Sequence, residues 1–292
     1  MAREETPFRR ILSDFIANPT AVFGLVLLAA ILAVAIAAPL ISPQNPYDLA
    51  QLDVVDGRLP PGAKTDGGTF WLGTDDQGRD MLSAIFYGLR ISLTVGVVST
   101  VVALVLGLAL GLAAAYFGGR TETVIMRIAD IQLSFPAILI ALILLAVLGQ
   151  GMLKIIAALI TVQWAYYART VRSAALVEKR KEYIEAARCL ALSPSRIVFR
   201  HLLPNCLPPL IVVATVQVAA AIALEATLSF LGLGLPITEP SLGLLIANGY
   251  QYLLSGKYWI SFFPGVALLL TIVSINLVAD QLRDVLNPRL QR

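Results

Sequence analysis

The chain has 292 residues, 58% hydrophobic and only 14% charged, with a net charge of +3. Soluble domains carry about 25% charged residues, so this composition excludes an ordinary water-soluble enzyme or binding module. The small net charge says little by itself; its distribution along the chain says more.

The first twenty residues are electrically neutral: Arg3, Arg9 and Arg10 stand against Glu4, Glu5 and Asp14. Ala21–Ile41 follows as an uncharged apolar run of 21 residues, which spans roughly 31 Å as a helix, enough to cross a bilayer core. A cleaved signal peptide is the competing reading, but its apolar region needs only about 7–15 residues, so a retained anchor is expected. Segment 42–88 is rich in Pro, Gly and Asp and lacks a long periodic pattern, as expected of an irregular segment with short strands or turns. Asp48, Asp53, Asp56, Asp66, Asp75, Asp76 and Asp80 outnumber Arg58, Lys64 and Arg79 there, a net of −4.

Within it, Gly73–Asp80 holds three aspartates but lacks the spacing of a calcium loop. A turn into a capped helix is expected, with Thr74 or Asp75 as the cap and Gly78 in the bend. The alternative is a contact with a solute-binding protein. Further spans are expected at 91–117, 124–148, 151–168, 207–235 and 259–279. With the first anchor they make six helices, an all-α polytopic membrane protein. Gly107-x-x-x-Gly111 permits close helix packing in the second span. Arg127 and Asp130, three apart, are expected to pair with each other.

Between the fourth and fifth spans lies a basic insert, Arg169 to Leu203. Arg169, Arg172, Lys179, Arg180, Lys181, Arg188, Arg196 and Arg200 against Glu178, Glu182 and Glu185 give eight positives, three negatives and a net of +5. The bias of short loops towards Lys and Arg on the inner side places this insert, and both termini, in the cytoplasm, with 42–88 outside. Ser193-Pro194 is a helix-start signal. One helix is therefore expected to end near Leu192 and a second to run from Pro194 until Pro204 halts it. Small residues Ala186, Ala187 and Ala191 would let a partner approach closely. A solvated loop attracted to anionic lipid is the plainer reading. Cys189 and Cys206, in or beside the insert, make no C-x-x-C pair, and with the single histidine, His201, no zinc cluster is expected. Both thiols are expected as reduced packing residues, and His201 as part of the hairpin.

Glu185-Ala186-Ala187, followed by a helix break and Leu203-Pro204, resembles the E-A-A loop of ABC importer permeases. Arg200-His201 before Leu203-Pro204-Asn205 is similar to the dipeptide, oligopeptide and nickel branch. L-G-T-D-D-Q-G-R-D from Leu72, E-A-T-L-S-F-L-G-L-G from Glu225 and L-R-D-V-L-N-P-R-L near the C-terminus extend the resemblance, in family order, over most of the chain from Leu72 onward. It implies the C-type subunit of a binding-protein-dependent importer with the type I transmembrane fold. The expected organisation is a cytoplasmic segment 1–20, an anchor 21–41, an external segment 42–88, a core 89–280 with a coupling loop 169–204, and a cytoplasmic tail 281–292.

The resemblance further implies a related second permease as a heterodimer partner, two ATPase subunits, an external binding protein, and a place in the bacterial cytoplasmic membrane. No nucleic acid is implied, and no cofactor is expected to be bound by this chain. Glu182, Glu185, Ala186, Ala187, Ala191, Ser193, Arg196, Arg200, Leu203 and Pro204 fall in the segment that docks an ATPase. The family usually has Gly where Ala191 stands, and a side chain at positive φ there costs about 1 kcal/mol. Relatives carry peptides, nickel, glutathione or other small solutes; the sequence does not choose among them.

Glu225 is a carboxylate inside an apolar span, a functional position by default. It lies 18 residues beyond Leu207, roughly 27 Å along a helix, near the outer interface. A gate or packing role is expected there rather than direct solute contact. Two rivals fit less well. An ion-coupled carrier acting without ATPase subunits leaves the insert unexplained, and an intramembrane protease needs a His inside the membrane. The Gly256-Lys257 pair fails the phosphate-loop pattern, with Gln251 and Tyr258 at the required Gly and Ser/Thr positions. The chain is therefore not expected to be an enzyme, and ATP hydrolysis falls to other chains.

Overall fold

The computed structural model describes residues 13–48, 52–65 and 68–286. The start of the neutral N-terminal segment, Asp66 and the end of the tail motif lie outside the described residues.

Helix α1, Pro19–Ile41, begins with Pro19 in its first turn and Asn18 as cap, whose side chain accepts from the Thr20 and Ala21 N–H groups. Segment 42–80 then forms a turn at Val54–Asp56 and an antiparallel ribbon of β1, Ala63–Thr65, and β2, Gly68–Phe70, with Lys64 opposite Thr69. Helix α2, Met81–Phe117, has 37 residues and so is about 55 Å long. It starts ten residues before the expected span because Asp80, not Thr74 or Asp75, caps it: Asp80 accepts from the Ser83 N–H at 2.8 Å.

The third expected span is two helices. α3, Gly119–Leu133, and α4, Ala137–Leu148, meet at 91° across Ser134-Phe135-Pro136. Pro136 has no N–H to donate and restricts Phe135 to extended backbone, so the helix breaks there. α5 is Met152–Glu178 and α6 is Glu182–Cys189. α7 runs continuously from Pro194 to Phe230, with π-helical winding at Ile197–Leu202. α8, Leu242–Tyr250, is short, and α9 is Trp259–Leu286.

Among the described residues four helices (α1, α2, α7 and α9) are long and apolar enough to cross a membrane alone, and the bent α3–α4 pair is a fifth where it counts as one span. α5 is the remaining expected span. Its 27 residues reach about 40 Å, but Gln163, Trp164, Arg169 and Arg172 lower its hydropathy.

α2 is the axis of the bundle. α1, α8 and α9 pack on its first half through Ile31, Met81, Ile85, Leu242 and Ile260. α5 lies along its second half, where Gly107 sits against Tyr167, Trp164 and Ala168, and a Cβ on Gly111 would fall 2.6 Å from the Ala168 carbonyl. The expected close packing of these glycines is therefore observed, against α5.

Candidate functional site

The first ten residues of the insert, 169–178, complete α5, and the rest folds as a helical hairpin on the end of the bundle. After α5, Lys179 turns back to the last turn of α2, where its Nζ donates to the carbonyls of Ala115 at 2.8 Å and Tyr116 at 2.9 Å. These are orphan carbonyls of a helix C-terminus, and a cation satisfies both hydrogen bonding and dipole. Glu178 accepts from Lys181 Nζ and from the Tyr183 hydroxyl, each at 2.6 Å. Asn205, on α7 just past Pro204, donates to that hydroxyl at 3.1 Å and to the His201 carbonyl at 2.8 Å. The Tyr183 phenol is pushed up to about 12 by burial and by its bond to Glu178. His201 stands beside the Tyr183 ring at 6.5 Å, within the hairpin as expected.

α6 divides its faces cleanly. Ile184 and Ala187 point inward against Ile197, Leu202 and Cys206. Glu182, Glu185, Ala186 and Arg188 are exposed. Ala187 is therefore part of the core that joins the hairpin to α2 and α5, which corrects its placement among the partner-facing small residues. Cys206 is buried and Cys189 exposed, so only one of the two thiols packs.

Ala191 adopts φ +52°, the left-handed conformation for which a glycine is suited. The turn is kept and the strain tolerated: the Leu192 N–H reaches back to the Ala187 carbonyl at 3.2 Å. Ser193 is the N-cap residue and Pro194 opens the helix, as expected, but the Ser193 side chain makes no capping bond and lies 3.4 Å from the Ser195 hydroxyl.

Pro204 does not halt the second helix. The winding widens ahead of it, and the Leu203 N–H bonds to the Val198 carbonyl, five residues back. That π-bulge takes up the geometry a proline disturbs. Arg196, Arg200 and Pro204 are exposed and Leu203 half-buried. Two apolar residues absent from the sequence candidates complete the exposed surface: Leu190, 74% exposed at the hairpin tip, and Phe199, 66% exposed. An exposed Leu beside the E-A-A residues was visible in the sequence, but nothing in its spacing separated it from Leu192.

At the opposite end of the bundle Glu225 is fully buried on α7. Its carboxylate accepts from the hydroxyls of Ser92 on α2 at 2.9 Å and Ser229 at 2.8 Å. Five residues later α7 ends at Phe230. Beside it, Gly243 of α8 lies against the Ala226 backbone, where a Cβ has no room.

The 73–80 turn is a buried clamp. Arg79 is fully buried and its Nε donates to Asp75 at 2.6 Å, while Asp75 also accepts from the Gln77 and Arg79 N–H groups, each at 2.9 Å. Arg79 further donates to the Ile237 carbonyl at 3.2 Å, and Trp259 Nε1 to that of Thr74 at 3.2 Å. Gly78 occupies the bend at φ +79°. Burial, then the neighbouring Asp75, raises the Asp76 carboxyl above its ordinary range.

Arg127 and Asp130 do not pair. Asp130 reaches across to Arg169 of α5 at 2.5 Å, and Glu122 of α3 pairs with Arg172.

A profile of the binding-protein-dependent transport system inner membrane component matches residues 103–292, and one of the N-terminal transmembrane domain of oligopeptide transport permease C matches 6–61. The chain is 40% identical over 289 residues to the dipeptide transport system permease protein DppC of Escherichia coli, covering 98% of this chain and 95% of that one. It is 36% identical over 288 residues to the di/tripeptide transport system permease protein DppC of Pseudomonas aeruginosa, covering 98% and 93%. Among solved structures, a chain of the inward-facing MetNI methionine ABC transporter superposes with a TM-score of 0.58 at 23% identity, covering 71% of this chain and 98% of that one. The last likeness shows the fold, that of a type I ABC importer permease.

Proposed function

Because the chain belongs to the family of binding-protein-dependent transport system inner-membrane components, we propose that it is a peptide-importing permease subunit whose 182–204 hairpin docks an ATPase. It is a multi-pass protein of the bacterial inner membrane. Its partners in this reading are a related second permease, two ATPase subunits that hydrolyse the ATP, and an external binding protein that delivers di- or oligopeptides. Both termini and the hairpin lie in the cytoplasm, and segment 42–88 lies outside.

The observation that carries the reading is the folded hairpin itself. Its Ile184, Ala187, Ile197 and Leu202 are buried in one core with Leu112 of α2 and Tyr167 of α5. It is tied by Lys179 to α2 and by Asn205 to Tyr183. It presents Glu182, Glu185, Ala186, Leu190 and Arg196 outward. A hydrated loop drawn to lipid needs no such core. A rigid peg can transmit ATPase closure to α5 and α7, the two helices that flank it, as a two-state element biased by differential contacts.

Glu225 belongs to the outer gate in this reading. It links α2 to α7 close to the end where α8 packs, and so steadies that end without needing to touch solute. Charge reversal at Glu185 tests the docking. Peptide-stimulated ATP hydrolysis by the assembled transporter should be lost, with membrane insertion intact. Unchanged stimulation, or a purified chain that brings no ATPase with it, refutes the proposal.

A further inference from the structure

α3 climbs antiparallel along α5. Glu122 meets Arg172, Asp130 meets Arg169, and Gln132 donates to the carbonyls of Thr161 and Val162. Arg169 is nine residues inside the Glu178 end of α5 and Thr161 seventeen, so they lie roughly 14 and 26 Å along that helix. The α3–α4 break at Ser134-Phe135-Pro136, beside Gln132, therefore falls near the middle of α5, at the depth where α2 offers Thr100 to Gln163. Three features of this face do not suit acyl chains. Residues 134–136 are exposed irregular backbone, Thr161 is exposed, and the Asp130–Arg169 pair keeps 53% and 49% of its side chains open. Irregular backbone at such depth is tolerated only inside protein or along water, and intramembrane charges likewise face a protein interior or an aqueous cavity.

We infer that this α3–α5 face lines the solute pathway and that Asp130 and Arg169 form a contact site for a zwitterionic peptide. The inference rests on the reading of the chain as a peptide permease. The pair is neutral as a unit, so a simple cation would meet Arg169 and a simple anion Asp130, each a like charge. A peptide offers both complements. Its terminal carboxylate matches the guanidinium fork, and its ammonium matches Asp130. Without solute the two side chains satisfy each other. Trp164 donates to Gln132 at 2.7 Å and fixes that amide against α5, which positions the break beside the pair.

The test uses the complete transporter in cells and in membrane vesicles. Thr161→Cys should react with a water-soluble, membrane-impermeant maleimide, while Leu270→Cys, on the open apolar face of α9, should not. Arg169→Gln should lower dipeptide uptake at least about tenfold, the scale of one charge-assisted hydrogen bond. The exchanged pair Asp130→Arg with Arg169→Asp should not restore it. Restoration by the exchange would make the pair a fold contact only, and an unreactive Thr161→Cys would mean that protein seals this face. Either result overturns the inference, as does normal uptake by Arg169→Gln. Wild-type transporter that takes up no dipeptide would instead refute the proposed function on which this site depends.

Discussion

Ala186 and Ala187 are neighbours with opposite surroundings, and leucine at each should give opposite failures. Ala187 is 4% exposed and packed with Ile184, Ile197 and Leu202. Leucine there adds three carbons to a filled space, an overpacking that costs about 1–3 kcal/mol. Taking about 2 kcal/mol, the population of opened hairpin rises roughly 30-fold. Trypsin reports this directly, because Arg180, Lys181 and Arg188 flank or lie within α6. In vesicles with the hairpin outward, Ala187→Leu should be cleaved in this region at a rate higher by that factor, with peptide-stimulated ATP hydrolysis lost as a consequence. Ala186 is exposed, so Ala186→Leu should keep wild-type trypsin resistance and lose stimulation alone, by blocking the docked surface. Cleavage of Ala187→Leu at the wild-type rate would refute the assignment of α6's inward face. Sensitised cleavage of Ala186→Leu would do the same for its outward face.

Arg79→Ala strips a buried pair of one partner and leaves Asp75 charged and enclosed; a loss of about 3–5 kcal/mol is expected, read as a lower melting temperature of the detergent-purified transporter. The folded-state value of Asp76 is raised above its ordinary 3.8, so its contribution to stability is present below that value and lost as pH rises through the raised one. Asp76→Asn should therefore flatten the pH dependence of melting across that window, and an unaltered slope would rule out the Asp76 contribution. Val55→Cys, 86% exposed, should label with an impermeant reagent in intact cells and Arg180→Cys should not; the reverse pattern would invert the topology. Glu225→Gln keeps the shape and both serine neighbours while replacing the carboxyl with an amide, so it should change basal ATP hydrolysis or uptake rate and leave solute selectivity alone. Altered selectivity with unchanged basal turnover would move Glu225 into the solute site.

The apolar runs and the basic insert were legible because each is written locally, in about eighteen or more consecutive residues. The break at Pro136 was written just as locally, yet the run around it is apolar on both sides, and hydropathy alone carried it through as one span. Pro204 shows the reverse error. A proline in a helical pattern reads as a stop, but six π-helical residues before it, Ile197–Leu202, absorb the disturbance and the helix continues. Contacts between distant segments were out of reach. Arg127 is three residues from Asp130, while Arg169 is 39 away and takes the pair; sequence spacing ranks the neighbour first, and packing decides otherwise. Ala191 was the most informative departure from family pattern. The structure keeps the left-handed turn at φ +52° with an alanine in it, so the surrounding hairpin over-determines that backbone.

α2 and α5 give the two ends of the molecule a mechanical connection. At one end α2 begins at Asp80, the last residue of the clamp that holds Arg79 to Ile237 and Trp259 to Thr74. At the other its final carbonyls are held by Lys179, the residue that closes α5 and opens the hairpin. Between these ends Gly107 and Gly111 bring α5 onto α2 so closely that no Cβ fits, and packed interiors pass strain rather than absorb it. Arg169 is carried on the open side of α5, where it meets Asp130 of α3. In the proposed reading, a push on the hairpin would act through α5 on the ion pair, and through α2 on Ser92 and the Glu225 carboxyl it donates to. At the 91° break between α3 and α4, Ser134 and Phe135 bond back to α3 and Pro136 has no N–H to donate, so the two helices are joined there only through the chain.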